Sequence, residues 1–210
     1  MKTKSILATG VLALTSIFIA TSAQAAVPLP TSLALANPSF ELGNWVDQGG
    51  GYDNLAPGAS DITGWTVINQ TISWGSINNS DGIGSADGTY FLDLTGPGAG
   101  APGGVAQDVA TNIGEYYTFS FALGTINVPV TVQVDAGDTS TQFTESLGWG
   151  TYDFNFTATS AVTTVSFSGI SGYNFIGLDA PAGTSAPEPA SAALLGLGTL
   201  LLAARRRRIA

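Results

Sequence analysis

Four stretches of the chain alternate apolar and polar residues with a period of two. Tyr117, Phe119, Phe121 and Leu123 interleave with Thr118, Ser120 and Ala122; Val130, Val132 and Val134 with Thr131, Gln133 and Asp135. Tyr152, Phe154 and Phe156 interleave with Asp153, Asn155 and Thr157; Val165 and Phe167 with Thr164, Ser166 and Ser168. That period places successive side chains on opposite faces, as in a strand with one face buried. Residues 32–36, 65–68, 71–74, 89–94, 104–109 and 175–179 are shorter candidates of the same kind. Gly, Asn, Asp and Pro separate them, and nowhere in the body do ten residues follow helical spacing. Many short strands with Gly-rich turns predict an all-β fold, a single jelly-roll-type β-sandwich.

The two ends break this pattern. Residues 1–4 carry Lys2 and Lys4, residues 5–20 are apolar, and Ala23-Gln24-Ala25 supplies the small residues of a cleavage site. Residues 1–25 are therefore expected to be a secretory signal peptide, cut by signal peptidase after Ala25. At the other end Pro187, Glu188 and Pro189 precede an uncharged run over 190–204 and then Arg205, Arg206, Arg207 and Arg208. Fifteen residues at ~1.5 Å each reach about 22 Å, short of a hydrocarbon core of ~30 Å. Such a short transmembrane helix spans only with snorkelling or local thinning. The arginine cluster would hold the C-terminus in the cytoplasm, with the body outside the inner membrane. The expected organisation is a signal peptide at 1–25, a sandwich domain at 26–180, a flexible linker at 181–186 and a tail at 187–210.

Charge then removes whole classes of chemistry. The chain has 6 basic and 15 acidic residues, a net charge of −9, no Cys and no His. All the bases lie in the two ends, and every acid except Glu188 lies in the body. A body without Lys, Arg or His has no phosphate clamp, Schiff base or imidazole ligand. Nucleic acid is excluded as a partner, because backbone binding needs cationic side chains. Without Cys there is no thiolate nucleophile, thiolate metal site or disulfide. Carboxylate chemistry, oxygen-ligand cation binding, or binding without chemistry are what remain.

The order Pro187-Glu188-Pro189, apolar run, Arg205 to Arg208 resembles the PEP-CTERM sorting signal of exported proteins in Gram-negative bacteria that make exopolysaccharide. The resemblance implies an exosortase as a partner, a membrane cysteine protease-transpeptidase that removes the tail and passes the body toward the cell surface or matrix. Within the body, NPSFE (37–41), ITGWTV (62–67), DGTYFLDLTG (87–96), GGVAQDVAT (103–111), GEYYTFSFALG (114–124) and FIGLD (175–179) follow an order similar to the galactose-binding-like sandwiches of the DUF642 family. Pro38 departs from that pattern, where the family's opening has Gly. The chain also lacks the hydrophobic strand that follows the last phrase in the family.

Glu41 follows the first strand and Asp179 ends the last, so closing the sandwich would bring them together. In related carbohydrate-binding jelly rolls matching positions contribute to a structural calcium site, which implies calcium as the one cofactor. Between 43 and 60 lies a long Gly-rich loop, and loops of this kind often carry function. In it Trp45 and Tyr52 would stack on a sugar while Asn54 bonds its hydroxyls. Trp65 and Trp149 fall in strand phrases and are expected in the core. Asp93-Leu94-Thr95-Gly96 and Asp138-Thr139-Ser140 resemble aspartic-protease fragments, but neither is a proper Asp-Thr-Gly. No enzyme is expected. The reading is an exported cell-surface or exopolysaccharide-matrix protein with polysaccharide as its expected ligand. A matrix scaffold without glycan affinity and a carboxylate-only glycoside hydrolase are the alternatives.

Overall fold

A computed structural model describes residues 29–98, 101–126, 128–171 and 175–180. The signal peptide with its cleavage at Ala25, the linker at 181–186, Pro187 to Pro189 and Arg205 to Arg208 lie outside the described residues. The described residues contain no helix and form a two-sheet β-sandwich.

The larger sheet runs from β10 (Gly148–Thr157) through β7 (Tyr116–Thr125), β12 (Gly177–Asp179), β5 (Tyr90–Asp93) and β4 (Ile72–Ser76) to β2 (Tyr52–Leu55). β10 pairs with the whole of β7 on one edge. The opposite edge is shared: β1 (Thr31–Ser32) lies parallel to Tyr117 and Thr118, while β12 is antiparallel to Ala122 through Gly124. The smaller sheet has the order β3 (Thr66–Ile68), β6 (Gly104–Ala110), β11 (Val162–Ser171), β8 (Val130–Ala136), β9 (Thr139–Glu145).

Register explains the core. Leu123, Leu178, Leu92 and Trp74 lie opposite one another across four strands, and all four are buried. They face the valines of the smaller sheet, among them Val105, Val134 and Val165. Phe167 reaches across to Phe121 and Phe119, at ring separations of 5.2 and 5.9 Å. Each such side chain contributes roughly 1.5–3 kcal/mol by leaving water.

Where the structure departs from the expected strands, a side-chain reason is visible. The first strand is two residues long and not 32–36, because Gln107 of β6 takes the chain there for itself. Its Oε1 accepts from the Ala36 amide at 2.7 Å and its Nε2 donates to the Ala36 carbonyl at 2.9 Å. The loop expected over 43–60 contains β2. β9 carries no period-two signal, since apart from Phe143 it is polar on both faces.

Trp149 is not a core residue. It lies opposite Gly124, one position out of phase with the inward Tyr152, Phe154 and Phe156, so it points to the outer face of the larger sheet. There it meets Phe91 and Phe175, at 6.3 and 6.0 Å between rings, as a second, smaller apolar cluster. Its indole N–H donates to the Gly84 carbonyl at 3.0 Å, which draws the β4–β5 loop over the sheet.

Candidate functional site

The outer face of the larger sheet carries two cross-strand rows at its β2 edge. Asn54, Ser73 and Asp93 lie opposite one another, as do Tyr52, Gly75 and Phe91. Side chains in register share a face. Gly75 is required by the rings beside it: a Cβ there would stand 2.6 Å from the Phe91 ring and 2.9 Å from Tyr52. The loops after β4 and after β5, carrying Asp81 and Pro97, rise over these rows and leave a cavity of about 370 Å³.

Asp93 is the most constrained group in it. Its Oδ1 accepts from the Thr95 amide (2.9 Å), the Thr95 hydroxyl (2.7 Å) and the Ile176 amide (3.0 Å). Among the described residues Oδ2 has no hydrogen-bond partner. Among the described residues no fully buried side-chain oxygen or nitrogen lacks a partner, so Oδ2 is reached from the cavity. Burial pushes this carboxyl up to about 6, against the three hydrogen bonds that favour its charge, and the nearby Asp81 raises it further.

Tyr52 walls the cavity, its hydroxyl donating to Asp81 Oδ2 at 3.0 Å. Burial and then that carboxylate hold the phenol well above its ordinary range. Asn54 Oδ1 accepts from the Ser73 hydroxyl at 2.7 Å, and among the described residues its Nδ2 donors have no partner. The cavity thus offers an aromatic wall, an amide donor, a buried carboxylate oxygen and a second carboxylate.

Tyr52 and Asn54 both line the cavity, with β2 as their support. Trp45 is not with them. Its indole N–H donates to the Trp74 carbonyl at 3.0 Å and its ring packs 5.4 Å from Tyr90, half-buried against the core. Asp93, Asp81 and Ser73 escaped the reading of the sequence. The phrase Asp93-Leu94-Thr95-Gly96 is a turn closed by its own hydrogen bonds, from Thr95 to Asp93 Oδ1 and from the Gly96 amide to the Asp93 carbonyl.

Glu41 and Asp179 do converge, on one loop. Glu41 Oε1 accepts from the Thr89 and Tyr90 amides at 2.8 and 2.7 Å. Asp179 Oδ2 accepts from the Ala86 and Asp87 amides at 2.8 and 2.9 Å, and Oδ1 from Ala180. Burial pushes the Asp179 carboxyl up to about 8, and the charge of Asp87 adds to it. Calcium takes six to eight oxygens. Among the described residues no group of three or more acidic side chains is gathered to hold a metal ion, and calcium at Glu41 and Asp179 would draw its further oxygens from carbonyls and water.

The family profile described as a protein of unknown function, DUF642, matches residues 33–174. The chain belongs to the DUF642 family. A PEP-CTERM protein-sorting motif matches residues 185–208, which implies export, processing by an exosortase, and a surface or extracellular location. No curated protein matches the chain.

Similar solved structures include a family 35 carbohydrate binding module from Clostridium thermocellum, 9% identical, covering 60% of this chain and 94% of that one, with a TM-score of 0.43. A structure described as CBM4 is 15% identical over 69% and 93% of the two chains, TM-score 0.38. TmCBM61, solved in complex with β-1,4-galactotriose, is 16% identical over 70% and 94%, TM-score 0.38. The all-β sandwich of this DUF642 chain is seen in its own two sheets, and the assignment of its site rests on the cavity itself.

Proposed function

We propose that the protein is an exported, non-enzymatic cell-surface or exopolysaccharide-matrix component that binds a carbohydrate in the cavity above β2, β4 and β5. The observation that carries this reading is the cavity's division of labour. Tyr52 supplies an aromatic wall that suits an apolar sugar face, while Asn54 Nδ2 and Asp93 Oδ2, both without a partner among the described residues, suit sugar hydroxyls. A site of about 370 Å³ is at the small end of ligand cavities, suited to one or two sugar rings of a longer chain. The sorting motif supports the address, and a signal peptide at 1–25 with a transient anchor at 187–210 would deliver the body there.

The test is a glycan array probed with the exported protein. Retention of at least one polysaccharide is expected, with Tyr52→Ala and Asn54→Ala each weakening it about tenfold, the loss of one stacking or hydrogen-bonding partner. A protein that retains no glycan and self-associates is a matrix scaffold instead. Release of reducing ends from a retained glycan would make it a hydrolase.

A further inference from the structure

The electrostatics of the cavity narrow the class of carbohydrate. Asp93 is 7% exposed and lines the cavity, and among the described residues its Oδ2 has no hydrogen-bond partner. Asp81 stands over the same space, bonded to Tyr52. Residues 27–186 contain no Lys, Arg or His, so the body has no side-chain cation to set against either carboxylate. A buried carboxylate without a cationic partner is costly, and a ligand that brings the cation recovers that cost.

Resting on the carbohydrate reading above, we infer that the ligand is an amino sugar with a free primary amine, whose ammonium lies against Asp93 Oδ2 and Asp81 while a sugar face lies along Tyr52. An ammonium supplies three donors and a compact charge. Its hydrogen bonds to carboxylates are roughly twice as strong as neutral ones, and the adjacent Tyr52 ring attracts the same charge. N-acetylation would replace that charge with one weak donor and added bulk. A uronic acid would set a third negative charge against two.

Asp93 titrates close to neutrality, at about 6, and supports the same assignment. The ionisable groups facing it are Tyr52 from β2 and Asp81 from the β4–β5 loop, and the phenol stays protonated over the working range. Binding of an ammonium therefore strengthens from pH 5 to pH 7 as Asp93 gives up its proton.

Calorimetric titration of the exported protein, in chelator, tests this with short oligomers of equal length: glucosamine, N-acetylglucosamine, glucose and galacturonic acid. The glucosamine oligomer should bind about tenfold or more tighter than the two neutral ones, and more weakly at pH 5 than at pH 7. Galacturonate should not bind. Asp93→Asn keeps a carbonyl for the Thr95 and Ile176 donors but turns the cavity-facing oxygen into an amide, and should abolish the preference. If that variant does not fold, the exposed Asp81→Asn should still reduce the preference several-fold. Equal affinity for amine-bearing and neutral oligomers overturns the inference and leaves a carbohydrate site standing. Spermidine binding as tightly as glucosamine overturns the amino-sugar assignment, as does binding of no oligomer at all, and the carbohydrate reading falls with it when the array also retains no glycan.

Discussion

Gly124 and Gly177 are small because of a ring. A Cβ on Gly124 would stand 2.9 Å from three atoms of the Trp149 indole, and one on Gly177 would stand 2.7 Å from Trp149 and Phe175. Gly124→Ala should therefore destabilise by about 1–3 kcal/mol, the cost of overpacking, and lower Tm accordingly. Combining it with Trp149→Ala should recover part of the loss, so a double-mutant cycle in thermal melts must show coupling. Asp179 makes a second residue-scale claim. Its folded value of about 8 lies above its ordinary 3.8. Between those values the native state holds a proton that the unfolded chain has released, so stability is full at low pH and falls as pH rises through 8. Asp93 acts in the same direction up to about 6. Tm should be lower at pH 9 than at pH 5 by about 5 °C or more, and Asp179→Asn should flatten most of that slope.

At the scale of elements, the clamp on residues 86–90 is the feature most open to test. Glu41→Ala removes the acceptor of two amides and should cost about 1–3 kcal/mol, read as a lower Tm in chelator and in calcium alike. A loss seen only in calcium would mean that Glu41 acts through a metal. The same scale shows what the sequence made legible. β7, β8, β10 and β11 stand out because one face is buried and the other wet, which writes a period of two into the chain. β9 carries Thr, Ser and Gln on both faces at the edge of its sheet, with Phe143 its one side chain packed on the core, so no period marks it. Trp149 was readable from parity: an odd position beside the even Tyr152, Phe154 and Phe156 faces the other way. Tyr52 and Asn54 share a parity too, which is why they reach the cavity together. Asp93 and Asp81 could not be placed there, because only the pairing of β5 with β4 and the path of a loop bring them to β2.

For the whole molecule, the address and the body are separable. Glu188→Ala should leave an uncleaved, membrane-bound protein in cells that contain an exosortase, followed by the mass of the tail on immunoblots. If that variant is released like the parent, the sorting motif is not what the processing enzyme reads.

One feature of the larger sheet reaches beyond the finished structure. β12 is the last described strand to leave the ribosome, yet it sits in the middle of the sheet, between β5 and β7. Until residues 177–179 arrive, those two strands present facing rows of unpaired amides and carbonyls. A chain passed through a membrane from its N-terminus would therefore reach the outside with its sheet split, a template for pairing with other chains. Order of synthesis therefore predicts more aggregation from chains that stop before residue 177 than from the full chain, read as the insoluble fraction of each.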